Sequence, residues 1–525
     1  MSPKVSERGV RDLILASEIQ NTLVSASAGA GKTTILIEKI KSILEKEESH
    51  RTVAAITFTI KATNEIKERL KKNKLKKGVV VSTNDSFVEN EIIRPFLMDT
   101  LLGKEMKTDF LVDYTGDFLT YKEGIRKLKE ENILGSYNNN ELKRTGFPSK
   151  NFKFELAKKI LEQSLAARQF LESKYFMLFL DEYQDSDLEM HDLFMYIKNI
   201  IDIPLFIVGD EKQAIYLWRG AQKDIFTRLA NEGFNRYLLT HNFRCDPEIN
   251  NFANFVHHFD SYIESDQRVT KMVLCKTKLS IEDTIDNLVN EGHLDSSKEI
   301  TLLINTNATA QSYSNKLKQK GYDFVFIPRT PIDDGLLNSY LLKQLATLYF
   351  DEFYSIYDFC EALNIESSSK NIKVYEKILK PLLNQEVLDL TELIKVFDVL
   401  QKQLGVVIEK EEISKLLETI SNIQYKICFL KDSFKHKIMT VFSSKGLEFD
   451  QVVALCSDYD LKNQEKLNAH YVAITRAKEK MILVDNTVTY IQRLREILKS
   501  YGVTTNNERE RIIDVIKYGN KNSNI

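Results

Sequence analysis

The residues best suited by type and spacing to do chemistry are Ala26-Ser27-Ala28-Gly29-Ala30-Gly31-Lys32-Thr33, with Thr34 behind them. A short apolar run, Thr22-Leu23-Val24-Ser25, leads in, and Leu36, Ile40, Ile43 and Leu44 follow on one helical face. Strand, small-residue loop, then helix is the setting that a phosphate-binding loop requires. Small residues let backbone N–H groups wrap phosphate oxygens, and the helix N-terminus adds partial positive charge. Lys32 would then reach the β- and γ-phosphates, and Thr33 Oγ would ligate Mg²⁺. Ala26 stands where the first glycine is usual, so this loop needs the support of a second nucleotide element.

That element is Tyr175-Phe176-Met177-Leu178-Phe179-Leu180-Asp181-Glu182. An apolar run ending abruptly in two carboxylates reads as a buried parallel strand that delivers them at its C-terminal end. Asp181 can hold Mg²⁺, and Glu182 can orient or deprotonate the attacking water. Alone, such a pair is more often a solvated helix cap; beside a phosphate loop it is catalytic. Metal chemistry of other kinds is not indicated. None of the eight histidines forms H-E-x-x-H, and His257-His258 is their one cluster. Cys245, Cys275, Cys360, Cys428 and Cys456 show no C-x-x-C spacing, which predicts reduced thiols.

The elements that must position these groups follow from the apolar pattern. Val53 to Thr57, Val79 to Ser82 and Leu205 to Val208 are short β-rich runs, each followed by polar residues and a helical pattern. The alternation predicts a parallel α/β sheet with its working loops at one edge. A second set of runs lies downstream: Ile300 to Ile304, Phe324 to Ile327, Ile438 to Val441, Val452 to Leu455 and Met481 to Val484. The second lobe carries no phosphate loop of its own, so the expectation is ATP in a cleft between two lobes. Composition agrees with a globular chain, at 43% hydrophobic and 28% charged with a net charge of −2. No apolar run approaches the roughly 18 residues of a membrane span. The opening Met1 to Arg8 lacks a signal-like apolar core, so a soluble, cytoplasmic protein with no membrane association is expected.

Further stretches extend the pattern: Thr57-Phe58-Thr59-Ile60-Lys61-Ala62, Asp181-Glu182-Tyr183-Gln184-Asp185, Gly209 to Ala221, Asn242-Phe243-Arg244, Lys445-Gly446-Leu447-Glu448-Phe449 and Tyr471 to Ala477. Read in order with the phosphate loop, they resemble the ATPase and DNA-contact motifs of the UvrD/Rep-like helicases of superfamily 1. The resemblance implies two RecA-like P-loop lobes with parallel sheets, each with a mostly helical insertion. It implies that Gln213 senses the γ-phosphate, and that Arg219, Arg244 and Arg476 surround the triphosphate. Phe243 resembles the ring that stacks on adenine, and Glu448 the carboxylate that accepts from the ribose. Thr57, Phe58, Thr83, Tyr216 and Trp218 match positions that contact single-stranded DNA, where stacking is worth roughly 1–3 kcal/mol per base. A basic run from Lys67 to Lys77 is either a solvated helix face or a further DNA contact. Ile60 stands where the family usually has Asn, and Phe442 where it usually has His, which implies altered coupling without loss of hydrolysis.

By the same resemblance, residues 1–96 and 171–245 form lobe 1A and 97–170 an insertion 1B, which includes Tyr137-Asn138-Asn139-Asn140. Residues 246–332 and 433–525 form lobe 2A, and 333–432 a reduced helical insertion 2B, with helical spacing at Leu337, Leu341, Leu345 and Leu348. With so short a stretch after Val484, no appended nuclease is expected. The compact size, Thr83 to Phe96 and Asp181 to His191 are similar to the helicase-like subunits of Gabija anti-phage defence. That likeness implies a hetero-oligomer with an OLD-family Toprim nuclease. Three readings follow: a 3′-to-5′ translocase on single-stranded DNA, a DNA-end-sensing ATPase that licenses a partner nuclease, and a free-standing repair helicase.

Overall fold

The computed structural model describes residues 7–58, 60–72, 75, 77–99, 111–113, 120–122, 153–215, 221–222, 224–333, 336, 338–363, 365, 368–384, 389–404, 408, 410–430, 434–487 and 489–519. Two compact units divide the chain. The first comprises Met1–Ala26, Lys32–Glu211 and Tyr216–Leu239; the second comprises Ser27–Gly31, Lys212–Ile215 and Thr240–Ile525.

Strands β1 (Thr22–Ala26), β2 (Thr52–Thr57), β3 (Val80–Thr83), β6 (Tyr175–Leu180), β7 (Leu205–Gly209) and β8 (Asn235–Leu239) form the sheet of the first unit. A separate short antiparallel pair is made by β4 (Leu111–Asp113) and β5 (Thr120–Lys122). The strand order is β3-β2-β6-β7-β1-β8, and every pairing is parallel. The most apolar sequence takes an interior position: each residue of β6 is buried, between β2 and β7. A strand covered on both faces needs this continuous apolar run rather than alternation. Because the strands are parallel, their C-terminal ends share one edge. There β1 runs into the phosphate loop, β2 ends at Thr57, β3 ends at Thr83, β6 delivers Asp181, and β7 delivers Asp210.

The second unit holds β9 (Met272–Thr277), β10 (Ile300–Ile304), β11 (Phe324–Phe326), β12 (His436–Thr440), β13 (Phe449–Leu455), β14 (Ala477–Asp485) and β15 (Asp514–Tyr518). Their order is β11-β12-β10-β13-β14-β9-β15, again entirely parallel. The two parallel sheets with their helices are the two RecA-like lobes expected. Between β11 and β12 the chain builds helices Ser339–Phe350, Ile356–Ala362, Ser369–Leu383, Leu390–Leu404 and Lys410–Ser421. These helices have a core of their own, in which Leu341, Leu345 and Leu348 join Phe359, Phe397 and Leu416. Leu337, Tyr137 and Asn138 to Asn140 lie outside the described residues.

Within the two large sheets, three strands have no counterpart among the expected runs: β8, β9 and β15. Strands β8 and β15 are sheet edges, and β8 exposes Asn235, Arg236 and Leu238. Edge strands tolerate polar and charged residues, so no apolar run marks them. Strand β9 is buried, but its apolar run Met272 to Cys275 is too short to separate from a helix segment by composition.

Helix Lys32–Leu44, which follows the phosphate loop, is tied to helix Glu7–Ala16 by a buried lysine. Lys39 Nζ donates to Ile14 O at 2.9 Å, to Ser17 O at 2.5 Å and to Ser17 Oγ at 2.8 Å. Those acceptors lie at the end of helix Glu7–Ala16, where carbonyls lack helical partners. Burial lowers the Lys39 ammonium to about 8. Lys39→Ala strips the donor from buried acceptors and is expected to cost about 2–4 kcal/mol in urea unfolding, against less than about 0.5 kcal/mol for an exposed lysine such as Lys71.

Candidate active site

The phosphate loop is built from residues whose bulk had to be removed. Ala28 and Ala30 are fully buried, and Ala30 N–H donates to Ser27 O at 3.1 Å. Gly29 and Gly31 have φ of +67° and +72°, in the left-handed region that glycine enters without strain. Space also demands glycine at position 29. A Cβ there would run into the Asn242 side chain and come within 2.9 Å of Arg244 Cβ.

Within the second unit, other segments hold the loop. Phe243 N–H donates to Gly29 O at 2.9 Å, and Ala28 N–H donates to the Tyr471 hydroxyl at 3.1 Å. Lys212 Nζ donates to Ser27 Oγ at 3.0 Å and lies 5.0 Å from the Tyr471 ring centroid. Asn242 Oδ1 accepts from Arg244 N–H at 2.7 Å and Cys245 N–H at 2.8 Å, which fixes the backbone under the arginine. Asn242, Tyr471 and Lys212 all stand inside the motifs quoted above. Sequence assigned them no role: Tyr471 and Lys212 meet partners 443 and 185 residues away, and residue type alone does not tell that Asn242 turns back onto the N–H groups that follow it.

In the first unit, β6 ends in two carboxylates, a buried Asp181 and a half-buried Glu182. Asp181 is buried; its N–H donates to Ile56 O at 2.9 Å, and its Oδ1 accepts from Glu182 N–H at 2.9 Å. Burial raises its titration to about 7, and Glu182 adds to the rise while Lys32 opposes it. Glu182 itself has φ +54°, a left-handed conformation unusual for a side-chain-bearing residue. Strain of this kind gathers at working sites, and nothing in the local sequence announces it. Gln184 Nε2 donates to Glu182 Oε2, another contact that sequence did not single out. Tyr183 OH and His191 Nδ1 lie 3.0 Å apart behind this turn, and burial lowers the imidazole titration.

These carboxylates fit a divalent cation. A buried carboxyl with a raised titration lacks positive charge, which a cation would supply. Among the described residues no cluster of three or more His, Cys, Asp or Glu could cage a metal by itself.

Two of the three expected arginines, Arg244 and Arg476, lie in the second unit. Arg244 Nε donates to Glu448 Oε1 at 2.6 Å and Nη1 to Thr475 O at 3.4 Å. Glu448, expected at the ribose, is thus an ion-pair partner of Arg244. Arg476 is 1% exposed; its Nε donates to Val472 O and its Nη1 to Leu447 O, both at 3.1 Å. Phe243 is 65% exposed, and His241 meets its ring edge-on at 4.4 Å. Gln213 is buried, and its carbonyl accepts from Lys445 Nζ at 3.3 Å.

The expected DNA contacts are less uniform. Thr57 is buried with its Oγ1 3.1 Å from Thr63 Oγ1, and Phe58 packs on the core of the first unit. Thr83 caps helix Asn84–Val88, accepting from Ser86 N–H at 3.2 Å. Within the basic run, Arg69 pairs with Glu65 at 2.6 Å and donates to Thr34 Oγ1 at 3.2 Å. Tyr216, Trp218 and Arg219 lie outside the described residues.

A family model described as an AAA domain matches residues 11–219, and the UvrD-like helicase C-terminal domain matches residues 332–487. The Gabija protein GajB of Bacillus cereus (strain VD045) is 40% identical over 92% of this chain and 96% of its own length. The chain belongs to the UvrD-like helicases, in the family of that protein. It is an ATP-dependent DNA helicase. More distant UvrD-like relatives include the ATP-dependent DNA helicase Rep of Buchnera aphidicola, 23% identical over 90% of this chain and 92% of its own length. A probable DNA helicase II homolog of Mycoplasma genitalium is 23% identical over 83% of this chain and 73% of its own length. Among the described residues of this helicase, no helix is long and apolar enough to cross a membrane.

The raised titration of Asp181 has a definite sign. The folded state holds this proton more tightly than the unfolded chain, so its contribution is full below the unfolded value of 3.8 and is lost as pH rises through about 7. Without nucleotide or Mg²⁺, Asp181→Asn is therefore expected to melt above the wild type near pH 8. Thermal melts should show that gap closing as pH falls towards about 4; a gap that does not change with pH contradicts the assignment.

Proposed function

We propose that this helicase hydrolyses ATP to move 3′ to 5′ along single-stranded DNA, and that it does so in the cytoplasm as a subunit of a Gabija anti-phage complex. Its partner in this reading is an OLD-family Toprim nuclease. The observation that carries hydrolysis is the shared sheet edge: β1 and β6 are parallel with β7 alone between them, Lys32 begins the helix that follows β1, and Asp181 and Glu182 follow β6. Lys32 also favours the Asp181 anion against burial and the neighbouring Glu182.

In this reading Ala26 to Thr34 wrap the phosphates, and Thr33 and Asp181 would hold Mg²⁺. The bound metal would draw charge from the phosphate oxygens. Glu182 orients the water and takes its proton. Gln213 reports the γ-phosphate, while Arg219, Arg244 and Arg476 neutralise transition-state charge, a role worth roughly 10³–10⁵ in rate for a single arginine. Phe243 stacks on the base, and Glu448 exchanges its arginine for the ribose. Thr57, Phe58, Thr83, Tyr216 and Trp218 line the path of the strand. The lobes follow the ranges given above, 1A and 2A carrying the sheets, with 1B and 2B inserted.

A second reading has a specific observation behind it. Helices Ser339 to Ser421 pack on a core of their own, as a compact regulatory module does. On that reading the ATPase senses DNA ends and licenses the nuclease, with little unwinding.

Strand displacement by purified protein separates the readings. Duplexes with a 3′ tail should be unwound and those with a 5′ tail should not; unwinding that appears only after a nuclease partner is added supports the end sensor. Lys32→Ala is expected to lower ATP hydrolysis by on the order of 100-fold or more. Trp218→Ala should instead reduce the ratio of DNA-stimulated to DNA-free hydrolysis, by about 10-fold for the loss of one stacked base. An unchanged ratio removes Trp218 from the DNA path.

A further inference from the structure

Gln184 makes two opposed hydrogen bonds from one fully buried side chain. Its Nε2 donates to Glu182 Oε2, and its Oε1 accepts the backbone N–H of Asp210 at 3.0 Å, at the end of β7. Both partners belong to the first unit. A carboxamide is the uncharged side chain that offers a donor and an acceptor together. A carboxylate in its place would lack the donor and add a third negative charge beside Asp181 and Glu182.

The surroundings are shaped for this amide. A Cβ on Gly209 would come 2.7 Å from Gln184 Oε1 and 2.7 Å from Phe226 Cζ, so glycine there leaves room for the bond. The turn carrying Gln184 is held on both sides. Asp185 N–H donates to Glu182 O and Ser186 N–H to Tyr183 O, each at 3.1 Å, and Tyr183 OH meets His191. Glu182 enters this turn in its left-handed conformation, with its own N–H bound to Asp181 Oδ1. Backbone and turn thus set where the Glu182 side chain starts, and Gln184 sets how its carboxylate is turned.

We propose that Gln184 is a positioning residue for hydrolysis: it orients the Glu182 carboxylate and ties it to the end of β7, the strand that leads into Glu211–Gln213. The inference rests on the reading of Glu182 as the group that activates water. A carboxylate that must face an attacking water loses most of its effect when its plane is free to rotate. The bond to Asp210 also makes the pose of Glu182 depend on the position of the β7 end.

The test is DNA-stimulated ATP hydrolysis by the full chain, with kcat and KM measured separately. Four proteins are compared with wild type: Gln184→Ala, Gln184→Glu, Glu182→Gln and the double variant Glu182→Gln with Gln184→Ala. Gln184→Ala and Gln184→Glu should each lower kcat about 10- to 100-fold while KM for ATP moves less than about 3-fold. Gln184→Glu keeps the acceptor for Asp210 N–H, so it carries the comparison if Gln184→Ala lowers the melting temperature. In single-turnover measurements the double variant should match Glu182→Gln within about 2-fold, because an orienting bond has nothing left to orient. An added loss from Gln184→Ala in the Glu182→Gln background assigns Gln184 a purely structural role and overturns the proposal. So does a kcat near wild type in both single Gln184 variants while Glu182→Gln is inactive, and that outcome leaves the reading of Glu182 standing. Near-normal hydrolysis by Glu182→Gln overturns that reading itself, and the proposal with it.

Discussion

Water has been excluded from every residue of Tyr175–Leu180, yet the next two residues are carboxylic acids. Asp181 is disfavoured as an anion by burial, and the neighbouring Glu182 makes this worse. The chain answers this with partial measures: a backbone N–H on Asp181 Oδ1, the distant help of Lys32, and a carboxamide on Glu182. These do not bring Asp181 back to an ordinary carboxylate, which still titrates near about 7. A site left short of positive charge in this way favours whatever cation arrives with the triphosphate. Instability without ligand and affinity for a metal–nucleotide pair are here one property.

The parallel sheet is what makes so concentrated a site possible. In an antiparallel sheet, neighbouring strands would send half of these loops to the opposite edge. With all pairings parallel, the ends of β1, β2, β3, β6 and β7 emerge together. Close approach then becomes the limiting requirement, and two glycines meet it by lacking a side chain. Gly29 lets the 242–244 segment lie against the phosphate loop, and Gly209 leaves room for Gln184. Substituting either would push apart groups that must touch, whatever the local backbone preference.

Sequence revealed what local composition controls. Strands β1 and β6 stood out because burial on both faces demands an uninterrupted apolar run, and the loop and carboxylates at their ends were legible with them. Strand β8 was not, since an edge position imposes no such demand on Asn235 and Arg236. The same division runs through the site. Lys32, Asp181 and Glu182 announce themselves by residue type and context. The bond from Ala28 N–H to the Tyr471 hydroxyl joins residues 443 apart, and no periodicity encodes such a pair. Nor does any pattern mark the left-handed backbone of Glu182, which tertiary contacts impose. The motifs of the helicase family enclosed Gln184, Asn242 and Tyr471 without saying what each one touches.

The Arg244–Glu448 pair shows how a site can be ordered without being locked. The arginine side chain is 19% exposed and the glutamate 45%, so water competes for both. Ion pairs of this exposure contribute on the order of 0–1 kcal/mol. Beneath it, by contrast, Asn242 Oδ1 holds the N–H groups of Arg244 and Cys245, and Phe243 N–H is fixed on Gly29 O. The backbone is therefore set while the guanidinium is only lightly engaged. A triphosphate offers more negative charge than one carboxylate, in a geometry that a guanidinium fork matches. On the proposed reading, Arg244 exchanges this exposed pair for such a partner while Asn242 and Gly29 keep hold of the 242–245 backbone, so the arginine is kept in reserve at little energetic cost.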